Sequence, residues 1–368
     1  MTRSVAILGT RGYPSYYGGF ETAVRFIAPH LAEKGWDVTV YGRNGAVKSD
    51  DATRDQRVIS RLTRGVESKS LSTLSYGFTS VADTARRRPD VALVMNVANG
   101  FWLPLLRARG IPSVVNVDGI EWERAKWGRA AKAVFHGGAR FTAKFGDHLV
   151  YDAKAIAARW KTEFNRDGHY IPYGGIDSLG AGREAEFPPG SYVLMVARFV
   201  PENTVLEFFK AVERLPESVP VVVVGTAGYG GALDERAREL AERRESFHWL
   251  GHISDDARLH SLWENAGVYF HGHSVGGTNP ALVQAMWCSA PTVARDTTFN
   301  REVLADSGVF VPPEPGAIAP ALLAVLEGGQ TRQSLRESTR ARAERDFSWT
   351  DVCERYESVL EQAIGRRR

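Results

Sequence analysis

The sequence predicts an α/β fold made of two Rossmann-like domains, and three observations support this prediction. Short runs of β-branched residues alternate with longer amphipathic segments, which is the pattern of a parallel sheet covered by helices. The pattern stops at a stretch rich in Gly and Pro, residues 179–190, and then starts again. The 368 residues, 43% of them hydrophobic, are enough to form two separate cores.

The individual elements follow from the period of the hydrophobic residues. In the first half we expect strands at 5–9, 36–41, 91–96, 113–117 and 148–151, and a helix at 21–34. In the second half we expect strands at 192–197, 219–225, 247–250, 268–271 and 291–294, and helices at 203–215, 232–244, 255–264 and 280–287. The predicted domains are therefore 1–178 and 179–349, followed by a closing helical segment, 350–368.

The composition limits the class of protein. No hydrophobic run approaches the roughly 20 residues of a transmembrane helix, and the N-terminus leads directly into a strand without the layout of a signal peptide. The two cysteines, Cys288 and Cys353, do not stand at a metal-binding spacing. We expect a cytoplasmic protein that has no disulfide scaffold and no metal site.

The charge is divided unevenly between the two halves. Residues 1–180 contain 26 Lys and Arg against 17 Asp and Glu, a net charge of +9, whereas the remainder contains 20 against 26, a net charge of −6. A basic N-terminal half favours an anionic acceptor or peripheral contact with phospholipid at the inner face of a membrane. Ordinary solvated Arg-rich helices explain the charge equally well. Nucleic acid is not expected as a partner, because no binding motif accompanies the charge.

The stretch from His273 to Met286 is the most informative segment. It follows a predicted strand and opens a predicted helix, with Gly276 and Gly277 at its centre. Thr278 and Asn279 are residue types that cap helices, and Pro280 suits a first helical turn. A helix N-terminus preceded by glycines binds anions through its unpaired N–H groups. A plain strand-to-helix turn is the alternative.

The loop after the first strand, residues 9–21, is long and aromatic. It lacks the Gly-x-Gly-x-x-Gly dinucleotide fingerprint and instead places Gly18 and Gly19 just before a helix. Such a glycine pair allows a phosphate or sugar to approach the backbone. Tyr16 and Tyr17 are suited to stacking on a sugar ring or base, and a surface loop with structural glycines is the alternative.

Residues 116–127 place acidic, basic and aromatic groups together after a buried strand. Asp118 is a candidate base for an acceptor hydroxyl, and Trp122 is a candidate platform for a sugar. Arg124 and Lys126 are candidates for holding an acceptor phosphate. In the alternative, this is an amphipathic helix start that Asp118 caps.

Arg198 stands at the end of the first strand of the second half. An arginine there can bind a diphosphate through two parallel hydrogen bonds, although a solvated role is common at such positions. His271 and His273 flank the glycine motif, where structural hydrogen bonding is the commoner role of a lone histidine.

Together these segments resemble the retaining GT-B glycosyltransferases of family 4, over nearly the whole chain. The general likeness lies in the residues Gly18-Gly19-x-Glu21, Arg198-Phe-Val-Pro-Glu202, Gly251-His-Ile-Ser254 and Phe347-Ser-Trp349. Three longer motifs, at 9–21, 118–127 and 276–280, are similar to those of a rhamnosyltransferase-type subgroup. The resemblance implies two Rossmann-like domains facing each other across a cleft, with the last helix crossing back to the first domain. It also implies transfer of a sugar from a nucleotide diphosphate to an acceptor hydroxyl, with retained configuration and without a metal or other cofactor.

The resemblance assigns roles to particular residues. The catalytic residues would be Asp118 and Arg198. The donor would be held by Gly18, Gly19, Asn203, His252, His273, Gly276, Gly277, Thr278, Asn279 and Gln284. The acceptor, which would be a glycan, a lipid-linked glycan or a phosphorylated small molecule, would contact Tyr16, Tyr17, Glu121, Trp122, Arg124 and Lys126.

The chain departs from the family pattern at three donor-site positions. Gly276 and Gln284 replace two glutamates, and Asn203 replaces a lysine. A neutral amide at 284 can satisfy the single 3′-hydroxyl of a deoxyribose without desolvating a charge. We therefore expect a dTDP- or UDP-linked sugar, with a 6-deoxyhexose such as rhamnose favoured, used in surface-polysaccharide or natural-product biosynthesis. A sugar-nucleotide 2-epimerase and a non-catalytic binding protein of the same fold are the alternatives.

Overall fold

The computed structural model describes residues 2–16, 18–47, 51–52, 54–66, 72–124, 127–180, 186–228 and 230–365. The chain divides into two compact units. Unit 1 contains Met1–Tyr173 together with Trp349–Arg368, and unit 2 contains Gly174–Ser348. The closing segment of the chain is therefore part of unit 1.

Unit 1 is a parallel sheet with helices. Its strands lie in the order β3-β2-β1-β4-β5-β6-β7. They are β1 (Ser4–Leu8), β2 (Asp37–Arg43), β3 (Ile59–Thr63), β4 (Val91–Met95), β5 (Ser113–Asn116), β6 (His148–Tyr151) and β7 (His169–Tyr170). The helices are α1 (Gly19–Glu33), α2 (Ser72–Arg87), α3 (Leu103–Ala108), α4 (Arg129–Phe145), α5 (Lys154–Phe164) and, at the end of the chain, α13 (Trp349–Gly365).

Unit 2 repeats this plan. Its parallel strands lie in the order β10-β9-β8-β11-β12-β13. They are β8 (Val193–Val196), β9 (Val221–Val224), β10 (Phe247–Trp249), β11 (Val268–His271), β12 (Thr292–Arg295) and β13 (Val309–Val311). The helices are α6 (Val205–Val212), α7 (Ala232–Arg243), α8 (Asp256–Asn265), α9 (Pro280–Trp287), α10 (Thr298–Leu304), α11 (Pro315–Glu327) and α12 (Gly329–Asp346).

The structure confirms the predicted central strands. The sequence reveals them because the strands of a parallel sheet are buried on both faces and are therefore continuous hydrophobic runs. The bounds predicted for β6, β11 and α9 are those observed. The strand β3 was not predicted, because it lies at a sheet edge with Ile59 and Leu62 exposed and shows little hydrophobic alternation. Helix α12 was also not predicted, since only Leu335, Thr339 and Ala343 along it are buried.

Helix α13 packs on α1 inside unit 1. The carboxylate of Glu357 lies 3.0 Å from Trp36 Nε1, which donates to it, and 3.1 Å from His30 Nε2. The rings of Phe26 and Trp349 stack with their centroids 4.5 Å apart. These contacts bring the end of the chain into the core of unit 1.

In the described part of the chain, no helix combines the length and the hydropathy needed to cross a bilayer.

Candidate active site

The carboxyl ends of the strands position the candidate site residues. In each sheet the strand order reverses direction next to the first strand of the unit, between β1 and β4 in unit 1 and between β8 and β11 in unit 2. Open α/β sheets bind ligands outside the carboxyl ends of the strands at such a switch point. Arg198 follows β8, and the glycine motif follows β11, so both lie at the switch point of unit 2.

The segments after β8 and β11 are bonded to each other. The buried side chain of Asn203 donates from Nδ2 to the Arg198 carbonyl oxygen at 2.8 Å, and its Oδ1 lies 2.5 Å from His273 Nδ1. Ser274 donates from both N and Oγ to the Glu202 carbonyl oxygen, at 2.9 and 2.8 Å. The structure therefore brings Arg198 and the glycine motif together, with Asn203 and His273 as the connection.

The Arg198 side chain is exposed to solvent. Within the described ranges, its guanidinium forms no ion pair or hydrogen bond. Other unit 2 arginines are engaged: Arg244, for example, is buried and donates to the carbonyls of Val212 and Leu215 at 2.8 and 3.1 Å. Arg198 is thus an available fork of N–H donors at the carboxyl ends of the strands, the end at which open α/β sheets bind ligands.

The glycine motif forms the predicted turn into α9. Gly276 adopts a φ of +93°, a conformation that favours glycine over any other residue. Asn279 is the N-cap residue, and its Oδ1 accepts from the backbone N–H groups of Ala281 and Leu282 at 2.9 and 3.4 Å. The prediction that Asn279 caps is confirmed. The side-chain oxygen of Asn279 is thus bonded to the helix that it caps, and its predicted contact with the donor remains a prediction.

The side chain of Gln284 is hydrogen-bonded inside unit 2. Its Oε1 accepts from the Ile176 N–H at 3.2 Å, and its Nε2 donates to the Ile176 carbonyl oxygen at 2.9 Å. Both ends of the amide are therefore bonded to backbone of the same unit. The amide therefore joins α9 to the segment after Gly174. That it also serves a deoxyribose hydroxyl remains a prediction.

We expect Gln284→Glu to destabilise unit 2. A carboxylate cannot donate to the Ile176 carbonyl oxygen and would repel it, so the free energy of unfolding should fall by roughly 1–3 kcal/mol at pH 7. The loss should shrink toward pH 4, where a protonated acid can donate. Urea unfolding at both pH values measures it. Gln330→Glu, on the exposed first turn of α12, is the matched control and should change stability little; equal losses in the two variants would contradict the prediction.

His271 is a structural residue. It is buried, and its Nδ1 lies 3.0 Å from the Tyr269 hydroxyl oxygen. Burial, with a smaller contribution from His273, lowers the pKa of His271 to about 3. The ring is therefore neutral at physiological pH and is no general acid.

This shift predicts a pH dependence of stability. An unfolded histidine has a pKa of about 6.5, so between that value and about 3 the unfolded chain holds one more proton at His271 than the native chain. The contribution of His271 to the free energy of unfolding should therefore be complete above pH 6.5. Below that pH it should be lost by up to about 1.4 kcal/mol per pH unit. His271→Asn should reduce the slope below pH 6.5 and leave the slope above pH 7.5 unchanged in denaturant unfolding. Identical slopes in the two proteins below pH 6.5 would contradict it.

His252 is placed apart from the other donor residues. It is exposed in the loop after β10, and β9 separates β10 from β8. Neighbouring strands are about 4.8 Å apart, so this loop begins about two strand spacings from Arg198. By contrast, Gly277 and the buried Thr278 lie within the glycine motif itself.

In unit 1 the loop after β1 is held by a buried carboxylate. Glu21, on α1, accepts from the Arg11 N–H at 2.9 Å. Tyr16 donates to Asp51 at 2.6 Å, and the Arg25 guanidinium lies 4.1 Å from the centre of the Tyr16 ring. Tyr16, although half-exposed, is thus fixed by contacts of its own. The predicted residue Tyr17 lies outside the described residues.

Gly18 and Gly19 lie at the start of α1, in unit 1. Gly18 is the N-cap residue, with extended backbone, and Gly19 is the first residue of the helix. The two were predicted to bind the donor. The structure places them beside the loop that carries Tyr16, in a different unit of the chain from the donor residues of unit 2.

Asp118 is positioned by two asparagines. Its backbone N–H donates to Asn116 Oδ1 at 3.0 Å, and its Oδ2 accepts from Asn96 Nδ2 at 3.3 Å. Asn116 in turn donates to the Tyr356 hydroxyl oxygen, on α13, at 2.7 Å. Asp118 does not cap a helix: it has a φ of +64°, and Asn96 has a φ of +72°. Asn and Asp are the side chains that tolerate a positive φ best, and here the two conformations hold Asn96 and Asp118 at the ends of β4 and β5.

The sequence patterns did not single out Asn96, Asn116 and Tyr356 as positioning residues. A polar residue at the end of each of two buried strands is a signal that the sequence contains. The contribution of Tyr356 has no local signal, because it depends on α13 packing against a sheet more than 200 residues earlier in the chain.

The other predicted acceptor residues are engaged within unit 1. Both Glu121 oxygens have partners, since Trp127 Nε1 donates to Oε2 at 2.8 Å and Arg124 Nε lies 2.7 Å from Oε1. Trp122 packs among rings, with its centroid 5.5 Å from His136 and 6.0 Å from Phe164. These contacts give Glu121, Trp122 and Arg124 a structural part in the loop after Asp118, and their contact with an acceptor remains a prediction. Lys126 lies outside the described residues.

Among the residues that the structure describes, no cluster of three or more His, Cys, Asp or Glu side chains is arranged to hold a metal ion. The thiols of Cys288 and Cys353 are buried, and burial raises the pKa of each to about 12. They are therefore not available as nucleophiles.

Two family models match the chain. The model "Glycosyl transferase 4-like domain" matches residues 18–174, and "Glycosyl transferases group 1" matches residues 183–342. The chain is a glycosyltransferase. Its two parallel-sheet α/β units are those of the GT-B fold, as the sequence predicted. No curated protein matches this glycosyltransferase.

Several solved structures share the fold. A sucrose-phosphate synthase from Thermosynechococcus elongatus matches with a TM-score of 0.81 at 17% identity, over 99% of this chain and 100% of that chain. TarM matches with a TM-score of 0.76 at 9% identity, over 98% and 99%. HepE from Anabaena, solved in complex with UDP, matches with a TM-score of 0.73 at 16% identity, over 98% and 100%.

Proposed function

We propose that this glycosyltransferase moves a hexosyl group from a nucleoside diphosphate sugar to an acceptor hydroxyl, with retention of configuration. One observation carries the proposal. The exposed Arg198 guanidinium, without a partner in the described ranges, stands beside a glycine turn and the N-terminus of α9 at the switch point of unit 2. Cationic donors and helix N–H groups together suit a diphosphate.

In the proposed reaction the leaving group assists the transfer. The bond between the anomeric carbon and the diphosphate oxygen breaks, and the acceptor oxygen forms its bond on the same face of the sugar. The acceptor proton passes to the departing diphosphate or to Asp118. Arg198 and the N–H groups at the start of α9 stabilise the negative charge that develops on the diphosphate. No metal takes part, so a chelator should leave the rate unchanged.

For the donor we propose a 6-deoxyhexose such as rhamnose, linked to dTDP or UDP. The three motifs shared with the rhamnosyltransferase-type subgroup support the sugar. UDP and UDP-glucose, found in structures of the similar HepE, support UDP as the nucleotide. The Gln284 argument for dTDP is weakened, since the amide bonds to Ile176.

A donor screen tests this proposal. Thermal shift with UDP, dTDP, GDP and their sugars should single out one nucleotide, and mass spectrometry with acceptors should then show a mass increase of one hexosyl or deoxyhexosyl unit. The acceptor panel should contain a glycan, a lipid diphosphate glycan and a phosphorylated small molecule. Appearance of an epimer of the nucleotide sugar without acceptor would replace the proposal by a 2-epimerase. No turnover with any donor despite nucleotide binding would replace it by a binding protein.

A further inference from the structure

Helix α4 exposes a face that combines cations and hydrophobic residues. Its solvent-exposed side chains include Arg129, Val134, Arg140, Phe141 and Lys144, which we call the α4 face. At 100° per residue the three cations fall within about 60° of each other, and Phe141 and Val134 border them on one side. The opposite side of the helix, with Gly138, Ala139 and Thr142, is buried in unit 1.

Helix α4 itself carries no acidic residue, and the carboxylates of the neighbouring segments have partners of their own. Glu163 lies 2.8 Å from His136 Nε2 of α4 and 2.7 Å from Arg159 Nε, and Glu123 lies 2.6 Å from Arg159 Nη2. The sequence contains no Asp or Glu from 124 to 146, nor from 91 to 117, the segment that includes α3 and the short 3-10 helix packed on α4. Within the described residues, Arg129, Arg140 and Lys144 form no ion pair. The next helix differs: in α5, Arg159 pairs with Glu163 at 2.7 Å and Lys161 with Asp167 at 2.6 Å.

The hydrophobic part of the face extends beyond single side chains. Phe141 is 39% exposed and Val134 is 38% exposed. The Phe141 ring centroid lies 5.2 Å from that of Phe101 and 5.6 Å from that of Phe145. Grouped aromatic rings at a surface indicate an interaction site more strongly than scattered hydrophobic residues do.

We propose that the α4 face docks on an anionic phospholipid surface, with Arg129, Arg140 and Lys144 on the headgroups and Phe141 and Val134 entering the interface. Unpaired cations next to exposed phenylalanine are the composition of helices that lie in a membrane interface. A soluble polyanion without stacking rings, such as polyphosphate, would use the cations but would gain nothing from the phenylalanine. The inference is independent of the transfer reaction, because it concerns binding alone.

Vesicle sedimentation tests the proposal on the full chain. Wild-type protein should bind vesicles of equal parts phosphatidylcholine and phosphatidylglycerol and should bind phosphatidylcholine alone far more weakly. Each Lys or Arg near an anionic surface contributes about a fivefold factor in binding, so Arg140→Glu with Lys144→Glu should lower the partition coefficient about 30-fold or more. Phe141→Ser leaves the charge unchanged and should lower the partition coefficient at least several-fold.

Matched controls lie in unit 2. Lys210→Glu with Arg238→Glu makes the same change of charge on exposed positions, and Leu206→Ser removes a side chain that is 41% exposed. Both controls should keep near wild-type binding to anionic vesicles, and unchanged circular dichroism should show that all variants fold. Equal losses in the α4 and control pairs, or no binding of the wild type to anionic vesicles, would overturn the proposal. If Arg140→Glu with Lys144→Glu lowers vesicle binding but Phe141→Ser does not, the α4 face would be assigned to a soluble polyanion instead.

Discussion

Arg198→Ala should lower kcat by about 100- to 1,000-fold, the usual loss when one preorganised donor to a developing anion is removed. The guanidinium is exposed and, among the described residues, unpaired, so no structural contact of the protein should be lost with it. The effect should therefore appear in turnover, whereas the KM for the acceptor and the thermal stability should stay close to wild type. Steady-state kinetics with the donor found by the screen measures it.

Two further variants serve as controls for the Arg198→Ala prediction. Arg198→Lys retains the charge but not the two parallel hydrogen bonds, and it should recover only part of the rate. Arg238→Ala removes an exposed arginine from α7 in the same unit and should be neutral. An unchanged kcat in Arg198→Ala would exclude this residue from the chemistry.

Gly225→Ala should destabilise unit 2 more than any other single change considered. Gly225 follows β9 with a φ of +137°, and a Cβ there would lie 1.8 Å from the Ala197 carbonyl oxygen. The methyl group would push against the backbone just before Arg198. Left-handed strain of about 1–2 kcal/mol and overpacking of about 1–3 kcal/mol together predict a loss of about 2–5 kcal/mol in the free energy of unfolding.

Gly228→Ala is the control for this second prediction. Gly228 also has a positive φ, +88°, but a Cβ there would meet no heavy atom within 4 Å. It should therefore cost only the conformational strain, about 1–2 kcal/mol. Urea unfolding followed by tryptophan fluorescence compares the two variants, and equal losses would show that the close approach to Ala197 does not matter.

The sequence by itself determined the fold class and which residues follow the central strands. A parallel sheet buried on both faces needs continuous hydrophobic strands, so β4, β6 and β11 are visible as short runs of mostly hydrophobic residues. The residues that follow such strands lie at the carboxyl edge of a sheet. The hydrophobic pattern alone therefore places Arg198, Asp118 and the glycine motif at that edge.

Only the tertiary structure decided which of these side chains are available. Gln284 and Glu121 were predicted to meet substrates, and each has partners within its own unit. Gln284 bonds to Ile176, 108 residues away, and Glu121 accepts from the indole of Trp127, a bond inside its own motif that the residue types alone did not reveal. Asp118 depends in the same way on Asn116 and, through it, on Tyr356 of α13. A sequence pattern specifies which residue types lie on an element, because the pattern has the period of that element. It does not specify hydrogen bonds between distant segments, since those depend on how the elements pack.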